Sequence, residues 1–260
     1  MIGIFDSGLG GLTVVKEVFR QLPGRRVVYF GDTARTPYGT KSRRLIGRYA
    51  VQDAEFLLEQ GAEVIVVACN TASAQAMDVL SSRIRVPVFE VVTPAVRAAA
   101  GITRGKVGII GTRGTVGSGI YGRKMREMSP EVEVMAAPCP LFVSLVEEGW
   151  TEKPETLMIA KRYLNPLRLH GIDTLILGCT HYPFLRQVIG EAAGPEVRLV
   201  DPAAETAAEL RRFLQEHPEL DRRLRGEDHR FFASDRTEQF SQLASAWLGR
   251  ETDLREATLE

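Results

Sequence analysis

Glu63-Val64-Ile65-Val66-Val67-Ala68-Cys69-Asn70-Thr71 and Asp173-Thr174-Leu175-Ile176-Leu177-Gly178-Cys179-Thr180-His181 follow one pattern: an acidic residue, a run suited to a buried strand, a small residue, a cysteine, then polar side chains. Runs of this kind, bounded by turn formers and alternating with amphipathic stretches, read as inner strands of a parallel sheet. The likeness extends upstream. Ile2-Gly3-Ile4-Phe5-Asp6-Ser7-Gly8 resembles Val107-Gly108-Ile109-Ile110-Gly111-Thr112-Arg113, and 65 positions separate Ile4 from Cys69 where 70 separate Ile109 from Cys179. Downstream, each cysteine is followed by a helical pattern and a strand, leading into Thr93-Pro94-Ala95 in one half and Asp201-Pro202-Ala203 in the other. Order, spacing and flanking turns all repeat, so the chain reads as one unit written twice.

Working outward, strands are expected at Ile2-Phe5, Val27-Phe30, Val64-Ala68, Val86-Val91, Val107-Ile110, Val132-Ala136, Thr174-Leu177 and Val197-Val200. Helical patterns lie between them at Leu12-Leu22, Arg44-Gln60, Ala72-Arg83 and Pro183-Ala192. The charged tail from Glu205 onward reads as helical, interrupted by one more strand near Arg230-Ala233. The expected class is α/β, with two pseudo-symmetric lobes, each a mostly parallel sheet flanked by helices, and an active site between them. The first lobe is expected to take residues 1–94 plus 204–260, the tail returning as helices, and the second to take residues 95–203.

The 260 residues are enough for two such lobes, and 44% hydrophobic with 25% charged residues is ordinary for a chain with a buried core. Lys+Arg and Asp+Glu both number 33, and this zero net charge argues against nucleic acid as the main partner. No apolar run approaches the ~18–20 residues that span a bilayer, so no membrane partner is expected. The amino-terminal residues lack a basic region and a full apolar stretch, so they read as a first strand and not as a signal peptide. Three cysteines without C-x-x-C spacing suit neither a disulfide framework nor a structural zinc site, and no metal is expected. A reducing cytoplasm, where thiols stay free, is the expected location.

In parallel sheets, ligands bind beyond the carboxyl ends of the strands, where helix N-termini point. Cys69 and Cys179 each fall at the last position of a strand and before a helix, with Asn70, Thr71 and Thr180 expected to cap that helix. Helix dipoles and free N–H groups there favour an anion, and so lower a thiol's pKa or bind a carboxylate. A single buried cysteine is usually packing. Two at equivalent positions point to chemistry. Cys139, in Ala137-Pro138-Cys139-Pro140, has no counterpart and reads as a structural thiol.

Other polar groups collect at the same edge. Asp6-Ser7-Gly8-Leu9-Gly10-Gly11 follows the first strand, and its glycines allow close approach to a ligand. As a G-x-G-x-x-G fingerprint it fails at Thr13, and no Walker A pattern occurs. Asp6 reads either as a helix cap or as a proton partner for Cys69. Gly31-Asp32-Thr33-Ala34-Arg35-Thr36-Pro37-Tyr38-Gly39 reads as a binding loop or as a solvated connector. His181 is the one histidine beside a cysteine, and reads as its partner or as a local hydrogen bonder. Glu147 reads equally as a site carboxylate or as part of a solvated helix end.

Together, Asp6-Ser7-Gly8-Leu9-Gly10-Gly11, Pro37-Tyr38-Gly39, Cys69-Asn70-Thr71-Ala72, Gly111-Thr112 with Thr115, and Gly178-Cys179-Thr180-His181-Tyr182-Pro183 resemble the glutamate racemases. These belong to the wider cofactor-independent aspartate/glutamate racemases, and the resemblance covers essentially the whole chain. It implies racemisation of glutamate with no cofactor, by two cysteines on opposite faces of Cα. The cysteine matching Cys69 would deprotonate the D-isomer, and that matching Cys179 the L-isomer. By the same resemblance Asp6 assists Cys69, while His181 and Glu147 assist Cys179. Ser7, Tyr38, Gly39, Asn70, Thr71, Thr112, Thr115, Thr180 and His181 match positions that hold the substrate. Supply of D-glutamate for bacterial peptidoglycan and a homodimeric state are implied as well.

The chemistry agrees with these implications. Inversion needs a base on one face and an acid on the other, with roles exchanged in reverse, and a thiol of pKa ~8.5 suits both. No motif holds a lysine placed for a Schiff base, which argues against pyridoxal phosphate. Aspartate racemase is the nearest rival, although those relatives tend to carry Glu where His181 stands; hydantoin and related racemases and decarboxylases follow. From another class, the resemblance admits a role in restraining DNA gyrase. The chain begins at its first strand, which leaves no separate docking element for that role.

Overall fold

The computed structural model describes residues 1–259. It divides into two compact units, one of Met1–Val91 together with the residues from Ala203 onward, the other of Val92–Pro202.

The first unit opens with β1 (Ile2–Asp6), α1 (Leu12–Gln21), β2 (Val27–Gly31), α2 (Arg43–Glu59), β3 (Val64–Val67), α3 (Asn70–Gln75), α4 (Met77–Arg83) and β4 (Val88–Glu90). The second contains α5 (Val92–Ile102), β5 (Lys106–Gly111), α6 (Arg113–Ser118), α7 (Ile120–Met128), β6 (Glu133–Pro138), α8 (Leu141–Glu147), α9 (Pro154–His170), β7 (Thr174–Gly178), α10 (Arg186–Ala193) and β8 (Arg198–Val200). The chain then supplies α11 (Pro202–Glu216), α12 (Pro218–Leu224), β9 (Arg230–Ala233), α13 (Glu238–Leu248) and β10 (Leu254–Glu256).

The sheet of the first unit runs β10-β9-β2-β1-β3-β4 and that of the second β6-β5-β7-β8. Every strand pairing within them is parallel. The order β2-β1-β3-β4 therefore recurs as β6-β5-β7-β8, with β9 and β10 added to one edge of the first sheet. The α/β class with two parallel sheets is as the motifs led one to expect.

Alternation along β1 sends Ile2 and Ile4 to one face and Phe5 to the other. Ile2 and Ile4 pack with Leu12, Val15 and Val18 of α1 and with Leu210 and Leu214 of α11. Phe5 packs with Phe30, Ile65 and Val67 and with Ile46, Ala54 and Leu57 of α2. In the second unit Val107, Ile109 and Ile176 bury against Val96 and Ala99 of α5 and Tyr121 and Met125 of α7. Burial of each such side chain stabilises by roughly 1.5–3 kcal/mol, so both sheets are covered by cooperative layers and not by single contacts.

One glycine in each first strand shows how far the repeat extends. A Cβ on Gly3 would lie 2.7 Å from Ala62 Cβ, and one on Gly108 would lie 2.7 Å from Ile172 Cδ1. Ala62 and Ile172 are equivalent residues, one before the repeated acidic position. Only a residue without a side chain lets the loop entering the third strand close against the first.

Several local expectations need correction. The helix expected at Ala72-Arg83 starts earlier, at Asn70, and is interrupted at Ala76 (φ −118°, ψ −4°) into α3 and α4. That expected at Pro183-Ala192 is a 3-10 turn, Tyr182–Leu185, with Pro183 in its first turn, followed by α10. Cys69 lies two residues beyond β3 and Cys179 one beyond β7, so neither ends its strand. Cys69 itself holds the N-cap position of α3, with Asn70 and Thr71 already inside the helix, and no side chain caps it. Thr180 caps no α-helix, since the 3-10 turn intervenes. The tail contains a second strand, β10, hidden in a short polar stretch with little alternation to reveal it.

Candidate active site

In the first unit, β1 carries Asp6 to its carboxyl end, where the carboxylate accepts the Gly11 N–H at 3.0 Å. That bond closes the turn into α1, but the cap position belongs to Gly11 and not to Asp6. Across the neighbouring β3, Cys69 points its sulfur to the Ser7 hydroxyl at 3.5 Å. Cys69 is 5% exposed and Asp6 1%. Burial, and then the charge of Asp6, push the Cys69 thiol up to about 12. Hydrogen bonds from Ser7 and the Ala72 N–H act in the opposite sense and are outweighed. The expectation that a helix N-terminus lowers this thiol's pKa is therefore overturned: α3 does offer an N–H, but desolvation dominates. Cys69 holds its proton at neutral pH.

In the second unit, Cys179 sits just past β7, with its sulfur 3.9 Å from His181 Nδ1. The other ring nitrogen, Nε2, lies 3.0 Å from Glu147 Oε1 at the end of α8. The sulfur, the imidazole and the carboxylate form one chain. Burial disfavours a charge on His181, but the bonds to Cys179 and Glu147 outweigh it and push the ring up to about 10. A protonated His181 can donate to the sulfur while Glu147 holds the ring in place. Thr112 caps α6, accepting the Thr115 N–H at 3.1 Å, and the two hydroxyls stand 3.1 Å apart. Thr112 follows β5, beside the end of β7. Thr180 is buried next to Cys179.

Both units thus place a buried thiol beyond an inner strand with a titratable partner beside it. Residues 2–210 match the Asp/Glu/Hydantoin racemase family. Over its full length the chain is 47% identical to the glutamate racemase of Geobacter metallireducens, covering 97% of it. The chain belongs to this family. It is a racemase, an isomerase by class. Its fold matches a glutamate racemase isoform from Bacillus anthracis with a TM-score of 0.95 at 38% identity, over 100% of this chain and 97% of that one. It matches the Francisella tularensis glutamate racemase, solved in complex with D-glutamate, with a TM-score of 0.91 at 38% identity, over 99% and 96%.

In this racemase, residues 31–39 combine exposed positions at Ala34, Thr36 and Pro37 with a buried Tyr38. Tyr38 is 1% exposed, and its hydroxyl is bonded to Asp32 and, at 2.9 Å, to Asp53. Cys139 is buried, pushed up to about 12 by burial and then by Cys179, and its carbonyl accepts the Tyr182 hydroxyl at 2.8 Å. This fits the structural reading. Sequence reasoning missed Asp53, which lies on α2 between the buried Ala50 and Leu57. A carboxylate at a core-facing helical position was the available signal. It also missed Tyr29, whose hydroxyl donates to the Gly8 carbonyl at 2.6 Å and steadies the Ser7-Gly8 turn. Nothing in its strand pattern distinguishes Tyr29 from packing. No helix among the described residues is long and apolar enough to cross a membrane.

Proposed function

We propose that this protein is a glutamate racemase that interconverts L- and D-glutamate by a two-base proton transfer at Cα, with no pyridoxal cofactor. The observation that carries this is the paired placement of Cys69 and Cys179 beyond equivalent strands, each with its own proton partner. On L-glutamate, Cys179 acts as the base, and Cys69, which keeps its proton at neutral pH, returns one to the other face. On D-glutamate the roles exchange, and Asp6 takes up the proton demand at Cys69. His181, oriented by Glu147, serves Cys179 in the opposite sense, donating from Nδ1 toward the sulfur.

Ser7, Asn70, Thr71, the Tyr38-Gly39 backbone, Thr112, Thr115, Thr180 and His181 hold the amino-acid head group and side-chain carboxylate. Donors around the α-carboxylate are needed because the Cα proton is very weakly acidic without an electron sink. Burial of both sulfurs excludes water that would compete for the carbanion. Kinship with glutamate racemases, one of them bound to D-glutamate, supports this substrate over aspartate. It also supports a cytoplasmic role in D-glutamate supply for bacterial peptidoglycan, and a homodimer that light scattering would detect.

The deciding experiment is circular dichroism of the purified protein with L-glutamate in D₂O, with reductant and no added cofactor. Loss of optical signal with deuterium appearing at Cα is expected. If L- and D-glutamate both remain inert, the glutamate reading is wrong and aspartate becomes the next substrate.

A further inference from the structure

The turn that carries Tyr38 and Gly39 is anchored by a charge cluster the proposed mechanism does not use. Asp32 and Asp53 are both fully buried. Arg35 Nε reaches both Asp32 oxygens at 2.7 and 2.9 Å, and its Nη2 reaches Asp53 Oδ1 at 2.9 Å. The Ser234 hydroxyl, just past β9, adds a bond to Asp32 Oδ1 at 2.9 Å. The Tyr38 hydroxyl lies between Oδ2 of Asp32 and Oδ2 of Asp53.

Counting protons shows what this arrangement requires. A phenol has one proton, yet here it contacts two carboxyl groups. Asp32 also receives Arg35 and Ser234, and a carboxyl group that only accepts is the natural place for the phenol proton. The remaining contact joins Asp53 Oδ2 to the lone pairs of the Tyr38 oxygen, and it is attractive only if Asp53 supplies the proton. Charge leads to the same answer, since one guanidinium cannot balance two buried carboxylates.

We propose that Asp53 is a neutral carboxylic acid that acts as a positioning residue, donating to Tyr38 and so fixing the Tyr38-Gly39 turn for substrate. Burial, then the charge of Asp32, hold Asp53 well above the usual carboxylate range, outweighing Arg35 and the hydrogen bond with Tyr38, with Asp6 adding to the rise. The turn needs such an anchor. Of the two 3-10 segments in it, Thr33–Arg35 and Tyr38–Thr40, only Thr33 and Tyr38 are buried. The inference rests on the proposed function for the words "for substrate"; the neutral acid and the fixed turn stand apart from it.

The test compares D53N, which mimics a neutral acid, with D53A. D53A is expected to raise KM for both glutamate isomers on the order of tenfold with a smaller change in kcat, and D53N to stay within about twofold of wild type. Amide hydrogen exchange over residues 33–40 should quicken in D53A and not in D53N. Infrared spectra of wild type should contain a buried carboxylic-acid carbonyl band that D53N lacks, a readout that survives if D53A fails to fold. Equal damage from both variants, unchanged KM and exchange in D53A, or absence of the acid band would each overturn the proposal. A wild type inert on glutamate would remove the function instead, while exchange and infrared would still decide the role of Asp53.

Discussion

The two units use the same strand order and put a cysteine in the same place, yet they surround it differently. In the first, the partner of Cys69 is Asp6, at the end of the neighbouring strand β1. The equivalent position in the second unit is Gly111, where a Cβ would lie 3.0 Å from the Gly178 carbonyl. There the partner is His181, two residues after Cys179, where the first unit has Thr71. The repeat therefore preserves the position of the sulfur and leaves the choice of partner free. Burial, and then the charge of Asp6, hold the Cys69 thiol in its protonated form, whereas Cys179 has beside it a histidine raised toward its cationic form.

The broadest way to break this comparison is to remove each sulfur in turn. Cys69→Ser and Cys179→Ser should each lower kcat/KM by at least ~10³-fold, since a serine hydroxyl is a far weaker acid and base than a thiol. Wild-type-like racemisation by either variant would end the two-base account.

The partners come next, at roughly 10²-fold each for D6N and H181N. Enantiomers have equal free energy, so kcat/KM must fall equally in both directions, and the asymmetry shows elsewhere. H181N should raise the primary isotope effect measured with Cα-deuterated L-glutamate and lower that with the D-isomer. D6N should do the reverse. The same pattern in both variants would mean that the two partners do not serve different cysteines.

Packing offers a third comparison. Gly3→Ala should destabilise by about 1–3 kcal/mol, because its clash is with the fixed Cβ of Ala62. Gly108→Ala should cost less, because it meets the movable end of Ile172. Denaturant midpoints of the two variants measure the difference, and a larger loss for Gly108→Ala would mean that the equivalence of these loops is only apparent.

The smallest effect concerns pH. His181 has a folded pKa near 10, raised above its ordinary value of about 6.5. Its contribution to stability is thus complete below about 6.5 and is lost as pH rises toward 10. The stability gap between wild type and H181N should narrow across that window, whereas a constant gap would mean the ring is neutral throughout.

Much of this was legible in the sequence because strand runs, glycine turns and cysteine positions are local signals. The repeat located both thiols. The helix ends were less legible: neither the break at Ala76 nor the 3-10 turn over Tyr182–Leu185 interrupts the local side-chain pattern enough to be read from it. β10 escaped notice because a three-residue edge strand with one buried and two exposed residues carries almost no pattern. The direction of the Cys69 shift was misjudged for a related reason. A helix N-terminus can be read from sequence, but full burial beside a carboxylate cannot.

By itself, then, the sequence determined the α/β class, the duplication and the paired positions of the two cysteines, because each follows from composition and spacing along a few neighbouring positions. Tertiary structure decided which charges share a buried site. Glu147 reaches His181 across 34 residues, and Ser234 reaches Asp32 across 202. Asp53 meets Tyr38 only once α2 has packed on its sheet. Proton affinity depends on burial and on neighbours brought from distant parts of the chain, and those exist only after folding.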